Sequence, residues 1–147
     1  MECFGETTYL FVLIVLAEFK MDILESLQIE DLQIIGQTAE REFILCYHRP
    51  KRRIICIDQH AADERIRYES LLDRIANPAD LEHIKMRACR DAIKFGHKLN
   101  LSDCHHMIED LLKCKVPFKC AHSRCSTCVL ESLDKIILIN RLRNASK

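Results

Sequence analysis

Residues 54–66 read Ile-Ile-Cys-Ile-Asp-Gln-His-Ala-Ala-Asp-Glu-Arg-Ile, and the pattern changes from strand to helix within this stretch. The four apolar residues 54–57 predict a short buried strand. From His60 onward the apolar residues recur at helical spacing, beginning with Ile66. Asp58 stands where the strand pattern stops, so its carboxylate is expected at the edge of a sheet.

The residues before this stretch predict the rest of a small sheet. Residues 22–31 can form a short amphipathic helix, and residues 32–47 form a strand, a break at Gly36-Gln37 and a second strand. Residues 42–57 therefore predict a β-hairpin whose turn is the charged stretch 48–53.

The residues after this stretch predict helices. The helix that starts near His60 should stop before Asn77-Pro78, and a second helix should cover residues 79–95 with Gly96 as its C-cap. Ser102 is the expected N-cap of a third helix. The predicted fold class is α+β, with a small sheet formed by residues 30–57 and packed by about three helices.

We expect one domain over residues 30–147, preceded by an apolar segment of unassigned role at residues 1–29. The run Tyr9–Ala17 is shorter than the roughly 20 residues of a membrane-spanning helix. It also lacks the basic start of a secretory signal, because Glu2 and Glu6 precede it. A core strand or helix is expected there, with a targeting segment or a mispredicted gene start as alternatives. Residues 129–142 fit either a helix or a strand.

The composition excludes two classes of protein. With 22 basic and 22 acidic side chains, the domain does not bind nucleic acid by bulk charge alone. Nine cysteines, an odd number without a secretory signal, argue against a complete disulfide framework. The cysteines are therefore predicted to be metal ligands or small buried residues, and Cys46 and Cys56 are expected in the core. His48, His105 and His106 are expected at the surface.

Asp58, His60 and Glu64 can form half of a metal site. His60 and Glu64 are four residues apart, and on a helix this spacing puts both side chains on one face. An imidazole and a carboxylate placed in this way can share one divalent cation. By itself, the spacing also fits a capping aspartate beside a surface histidine.

Cys120, His122 and Cys89 can supply the other half. Cys120 and His122 alternate, so they would point the same way in an extended segment. Cys89 lies between Arg87 and Arg90, whose charges are expected to lower its pKa. A ligand set that mixes carboxylate with His and Cys favours an open catalytic site over a closed structural one.

A competing interpretation uses Cys125-Ser-Thr-Cys128. With Cys120 and His122, these two cysteines could close a local zinc knot of three cysteines and one histidine. A redox role for the pair is disfavoured, because the surrounding pattern is not a thioredoxin-like βαβ unit.

Residues 58–69 match the DQHA-x2-E-x4-E pattern of the MutL family of DNA mismatch-repair proteins at every defined position. Ala88-Cys89-Arg90 resembles a second element of that family, and residues 120–124 resemble its C-P-H-G-R element with Ala in place of Pro. The resemblance covers roughly residues 30–125. It is to the C-terminal endonuclease and dimerisation domain, and it is strongest to the third eukaryotic MutL homologue.

This resemblance implies a metal-dependent endonuclease that nicks double-stranded DNA in mismatch repair or meiotic recombination. It implies a nuclear protein that forms a heterodimer with another MutL homologue, works with a mismatch-recognition complex of the MutS type and does not enter a membrane. The implied cofactors are Zn²⁺ together with Mn²⁺ or Mg²⁺.

The implied site follows position by position. The catalytic residues would be Asp58, His60 and Glu64. The metal ligands would be Asp58, His60, Glu64, Cys89, Cys120 and His122. Arg124 would contact a DNA phosphate or pair with one of the site's carboxylates. Glu69 points away from Glu64 on a helix, so a contact with Arg65 is expected instead of a share in the metal.

The chain departs from the family pattern in three places. Only 18 residues separate Glu69 from Ala88, where the family places a regulatory subdomain, so that insert is expected to be absent, as is the clamp-binding motif. The family's N-terminal ATPase domain has no counterpart in these residues, which suggests a reduced form or an incomplete gene model. Ser123 and Cys125 replace the Gly and Pro of the family pattern. The alternative function is therefore a non-catalytic MutL-type dimerisation module with a structural zinc site.

Overall fold

Four strands pair side by side in chain order to form one antiparallel sheet in the computed structural model, which describes residues 21–75 and 77–132. The strands are β1 (Leu32–Gln37), β2 (Phe43–His48), β3 (Arg53–Asp58) and β4 (Thr127–Ser132). The predicted hairpin is confirmed as β2 and β3. The expected break at Gly36 is a bulge in β1, where the register shifts between Ile34 and Gly36 and glycine adopts a φ of 133°.

The sheet is larger than the sequence predicted. Thr127–Ser132 pairs antiparallel with β3 and adds a fourth strand beyond residues 30–57. For residues 129–142, the strand interpretation therefore holds through Ser132, and the remaining residues lie outside the described part. The predicted α+β class is confirmed.

Helices flank the sheet. They are α1 (Met21–Glu25), α2 (Gln59–Leu72), α3 (Leu81–Asp91) and α4 (Leu101–Lys113), with 3₁₀ turns at Ile29–Asp31 and Pro78–Asp80. The helix expected over residues 22–31 is thus a shorter α1 followed by a 3₁₀ turn. Its predicted apolar residues Ile23, Leu24 and Leu27 are buried in the core.

The predicted end of α3 and the predicted start of α4 are wrong. α3 ends at Asp91 with Ala92 as its C-cap, so Gly96 does not cap it. The chain leaves the helix early because the backbone groups of Ile93 and Lys94 bond to side chains of α2. α4 is capped by Asn100 and not by Ser102, through a capping box in which the side chains of Asn100 and Asp103 each bond to the other's backbone N–H.

The core lies between the sheet and the helices. Side chains alternate along each strand, so each strand contributes to both faces. The helix-covered face and the helices contribute Ile23, Leu24, Ile44, Cys46, Ile55, Ile57, Cys104, Ile108, Leu111 and Val129. The opposite face carries a second cluster of Ile54, Cys56 and Leu130, with Phe43, Leu45, Tyr47 and Cys128 half-buried around it. The predicted burial of Cys46 and Cys56 is confirmed.

His105 and His106 are exposed as expected, but His48 is buried at the end of β2. Burial lowers the pKa of His48, against the opposing effect of Asp31, whose carboxylate lies 4.0 Å away. The apolar run Tyr9–Ala17 lies outside the described residues. Across the two described ranges, none of the helices has the length and hydropathy needed to cross a membrane.

Candidate metal centre

Asp58 joins the sheet to α2. Its backbone N–H donates to the Ser126 carbonyl in the neighbouring strand segment (2.8 Å), and its carboxylate accepts from the Ala61 N–H (2.8 Å) as the N-cap of α2. Burial raises the pKa of Asp58, and the bond from Ala61 partly offsets this. The capping role and a place in the site are therefore not alternatives, because Asp58 also lines the cavity described below.

His60 faces two groups that carry or can acquire negative charge. Its Nε2 lies 3.4 Å from the Glu64 carboxylate and 3.7 Å from the Cys89 sulfur. Its Nδ1 lies 2.7 Å from the Ile93 carbonyl oxygen, which can only accept a hydrogen bond. Nδ1 therefore carries the proton, and in the neutral ring Nε2 presents a lone pair towards Glu64. The Cys89 thiol can donate to this lone pair, and a cation bound there could be shared with the Glu64 carboxylate.

Glu64 also reaches the Cys/His loop, which consists of residues 119–126. Its Oε1 accepts from the Ala121 N–H (3.0 Å) and lies 3.0 Å from His122 Nδ1. Two groups of three potential ligands result, His60–Glu64–Cys89 and Glu64–Cys120–His122, and within each group the donor atoms lie within 4.8 Å of one another. Glu64 is 2% exposed and belongs to both groups.

The Cys120–His122 segment is a tight turn and not the extended segment that alternation suggested. The Ser123 N–H donates to the Cys120 carbonyl (2.9 Å), and the Cys120 N–H donates to the Arg124 carbonyl (2.8 Å). Ser123 adopts a left-handed φ of 63° to close it. Cys120 and His122 converge on Glu64 because the turn wraps around that carboxylate.

The six sequence-predicted ligands surround one cavity of about 350 Å³. Its lining consists of Asp58, His60, Ala61, Glu64, Cys89, Cys120, His122, Arg124 and Cys125. Arg124 is exposed, and within the described ranges it makes no ion pair with Asp58 or Glu64. Its side chain remains available to a ligand at the cavity.

The predicted lowering of the Cys89 pKa is wrong. Burial, a hydrogen bond with Glu64 and the charge of Glu64 all raise the pKa of this thiol. The flanking arginines do not offset them because both point outward and bind Asp91, at 3.6 Å for Arg87 and 3.1 Å for Arg90. The negative charge that raises this pKa would also attract a cation.

Two polar residues within the motif hold the chain beyond α3, and sequence reasoning missed both. Gln59 is fully buried, accepts from the Gln37 amide (2.6 Å) and donates to the Lys94 carbonyl (3.1 Å). Asp63 accepts from the Ile93 N–H (2.8 Å). A sequence signal for both was available. Gln59 and Asp63 lie in the first turns of a helix that directly follows a core strand, and polar side chains buried there need hydrogen-bond partners.

Arg65 and Glu69 hold the other side of the site. Arg65 is buried and donates to the Lys119 and Cys120 carbonyls, the latter at 2.6 Å. Its expected contact with Glu69 is confirmed at 3.5 Å. Glu69 also accepts from the backbone N–H groups of Lys115 (2.6 Å) and Val116 (3.0 Å), a tertiary role that the sequence did not indicate.

The local zinc knot is not assembled. Cys128 lies in β4 directly opposite Cys56 in β3. Among the described residues, it does not belong to either group of converging ligands. Cys125 lines the cavity, but Cys128 does not.

No family model matches this chain. Short segments are similar to curated proteins. The chain is 42% identical to the DNA mismatch repair protein Mlh3 of Homo sapiens over 50 residues, which are 34% of this chain and 3% of that protein. It is 42% identical to the Saccharomyces cerevisiae DNA mismatch repair protein MLH3 over 43 residues, 29% of this chain and 6% of that protein. It is 39% identical to the DNA mismatch repair protein MutL of Carboxydothermus hydrogenoformans over 41 residues, 28% of this chain and 7% of that protein.

The described residues form an α+β domain whose pocket is lined by His, Cys and carboxylate side chains. The matches confirm its resemblance to the MutL family of DNA mismatch-repair proteins. The matches support a specific resemblance to the third eukaryotic homologue only weakly, because the bacterial MutL matches at a comparable identity. The matched segments span only a small part of the length of these relatives.

Proposed function

We propose that this domain is a metal-dependent endonuclease of the MutL type, which nicks double-stranded DNA in mismatch repair or meiotic recombination. It acts in the nucleus as a heterodimer with another MutL homologue and together with a mismatch-recognition complex of the MutS type. The family resemblance supports these assignments, and the geometry of the pocket supports a metal at its centre.

The observation that carries the proposal is the orientation of His60. The Ile93 carbonyl fixes the proton on Nδ1, so Nε2 is left as a ligand atom facing Glu64 and Cys89. A second histidine, His122, meets the other oxygen of the same carboxylate. This arrangement of donors fits one or two divalent cations that share Glu64.

The chemistry of the donors fits the proposed metals. Imidazole and thiolate groups suit Zn²⁺, and the carboxylates of Asp58 and Glu64 suit Mn²⁺ or Mg²⁺. A divalent ion held here would lower the pKa of water and offset the charge that develops on a phosphodiester. The protein would orient the substrate: Arg124 is exposed at the cavity, where its guanidinium can hold a phosphate through two parallel hydrogen bonds.

The second face of the sheet suits the proposed dimerisation. Phe43, Leu45 and Tyr47 lie half-buried along β2, next to the buried Ile54 and Leu130. Aromatic and aliphatic side chains grouped in this way are typical of the centre of a protein interface. We therefore assign this face to the partner homologue.

The alternative is a non-catalytic dimerisation module whose zinc is structural. It is favoured by the two buried ligands, since Glu64 and Cys120 are 2% and 6% exposed and tie α2 to the loop. The cavity beside them favours catalysis, because a closed structural site would leave no room for a substrate.

The test is nicking of supercoiled plasmid DNA by the full chain together with its partner homologue in the presence of Mn²⁺. We expect a His60→Ala variant to lose activity by at least about 100-fold, because it removes a direct ligand. The matched control is His105→Ala, which removes an exposed histidine of α4 and should leave nicking unchanged.

Equal nicking by the His60→Ala variant and the unchanged chain would overturn the assignment of this site. If the chain binds zinc, unfolds when a chelator removes it and nicks no DNA, the structural module is the correct function.

A further inference from the structure

Cys56 and Cys128 face each other across the sheet. They are Cα partners in the antiparallel pairing of β3 and β4. Two residues further along β3, the Asp58 N–H donates to the Ser126 carbonyl, so Asp58 and Ser126 form a hydrogen-bonded pair. Hydrogen-bonded pairs recur at every second residue of an antiparallel ladder. Cys56 and Cys128 therefore also form a hydrogen-bonded pair. Such pairs have Cα atoms about 5.5 Å apart. Disulfides span Cα distances of roughly 4.4–6.8 Å, so this Cα separation lies within their range.

The two thiols differ in exposure. Cys128 is half-buried, whereas Cys56 is buried. Cys128 is therefore the sulfur that a small reagent reaches first.

We propose that Cys56 and Cys128 form a reversible cross-strand disulfide when the protein meets a hydroperoxide. The inference stands on the register of the sheet, and it concerns the chain before a partner covers this face.

The reaction balances with the peroxide as the oxidant. The Cys128 thiolate attacks one peroxide oxygen, the O–O bond breaks, and Cys128 becomes a sulfenic acid while the other oxygen leaves as hydroxide. The Cys56 sulfur then attacks Cys128, the S–O bond breaks, and a second hydroxide leaves. The proton of the Cys56 thiol and one proton from solvent convert the hydroxides to water.

Cys125 is not the partner of Cys128, although the two form a CxxC motif. Residues 125 to 128 run from a β-bridge into β4, and three extended residue steps cover about 10 Å. Cysteines whose Cα atoms are more than about 7 Å apart cannot be joined without moving the backbone. Tertiary pairing thus gives Cys128 a different partner from the one that the sequence offered.

The proposed bond encloses the whole candidate site. Asp58 and Arg124 both lie in the chain between Cys56 and Cys128, together with every proposed ligand. Closing this loop restricts the unfolded chain, so the oxidised protein should unfold at a higher temperature. The Cβ atoms of directly opposed strand residues lie about 4.5–5.5 Å apart, whereas a relaxed disulfide has them about 3.5–4.5 Å apart. The bond would therefore be strained and easy to reduce.

The experiment treats the full chain with hydrogen peroxide, alkylates the remaining thiols and maps the disulfide-linked peptides by mass spectrometry. We expect a peptide pair joined through Cys56 and Cys128, a raised unfolding temperature and restoration of both thiols by dithiothreitol. The variant Cys128→Ser should lose the linked pair and the raised unfolding temperature, and Cys125→Ser should keep both. Cys128 is half-buried, so its substitution should not prevent folding.

Cys46 and Cys104 are an internal control, because both are fully buried in the core. They should remain unmodified thiols throughout. The proposal is overturned if Cys128 is found joined to Cys125, if Cys56 and Cys128 are never joined, or if Cys46 and Cys104 oxidise at the same rate, which would mean that the reaction reports unfolding.

Discussion

The start of α2 and the Cys/His loop supply the same candidate site in different ways. In residues 58–64 the ligands lie on regular structure, and the helical spacing puts His60 and Glu64 on one face. In residues 119–126 the ligands lie on a tight turn that Glu64 and Arg65 hold from outside. The comparison teaches that the helix can position its own ligands, whereas the loop needs the helix. Breaking the contacts between them should therefore affect the loop first.

The largest expected effect is on metal binding by Glu64→Gln. Glu64 faces both groups of ligands, and an amide lacks the negative charge that a divalent ion requires. We expect the affinity for Zn²⁺ to fall by at least about 100-fold, measured by competition with a coloured chelator. The amide oxygen can still accept from the Ala121 N–H, so the fold should remain.

The matched control is Glu109→Gln on α4, which removes a surface carboxylate paired with Lys113. It should leave the zinc affinity unchanged. Equal losses in the two variants would show that general charge, and not the position of Glu64, sets the affinity.

The next effect is on stability, through Arg65→Met. This change leaves the carbonyls of Lys119 and Cys120 without their buried donor, and we expect the free energy of unfolding to fall by about 2–3 kcal/mol. Urea unfolding measures the loss. Arg67→Met is the control on the same helix, and because Arg67 is 43% exposed the loss should be below about 1 kcal/mol. Similar losses would mean that Arg65 does not specifically hold the loop.

Asp58→Asn should separate stability from metal binding. Burial raises the pKa of Asp58, so the ionised side chain destabilises the metal-free fold at neutral pH, and asparagine can cap the helix as well. We expect the metal-free variant to be more stable by no more than about 1 kcal/mol at pH 7, and to bind metal more weakly.

The sign of the pH dependence follows from that raised pKa. The folded state binds the Asp58 proton more tightly than the unfolded state, so the penalty is absent below the ordinary pKa of an aspartate and grows as the pH rises through the folded value. The advantage of Asp58→Asn in urea unfolding should therefore vanish in acid. An advantage that stays constant with pH would contradict this account.

The smallest effect is within the turn itself. Ser123 holds a φ of 63°, a left-handed conformation that glycine adopts without a steric cost. Ser123→Gly should stabilise the protein by about 0.5–1 kcal/mol in thermal or urea unfolding. The control is Ser102→Gly in α4, where glycine disfavours the helix. This variant should have a free energy of unfolding lower by a few tenths of a kcal/mol. A destabilised Ser123→Gly variant would show that the serine hydroxyl matters more than the backbone.

Much of the part of the site in residues 58–64 could be predicted, because the sequence signals for it are local. The apolar run of β3, the stop at Asp58 and the spacing of His60 and Glu64 depend on neighbours within one or two turns. The boundaries of α3 and the cap of α4 were less predictable. The Ile93 N–H bonds to the distant Asp63 side chain instead of continuing the helix, and Asn100 caps α4 in place of Ser102.

The sequence by itself determined the strand, the helix and the chemical identity of the candidate ligands, because periodicity and side-chain chemistry are written in adjacent residues. Only the tertiary structure decided that Cys120 reaches Glu64 through a turn, that the Cys89 pKa is raised and that Cys128 faces Cys56. These features depend on contacts between residues far apart in the chain. Such contacts exist only when the strands are paired and the buried polar groups of α2 are bonded to their partners.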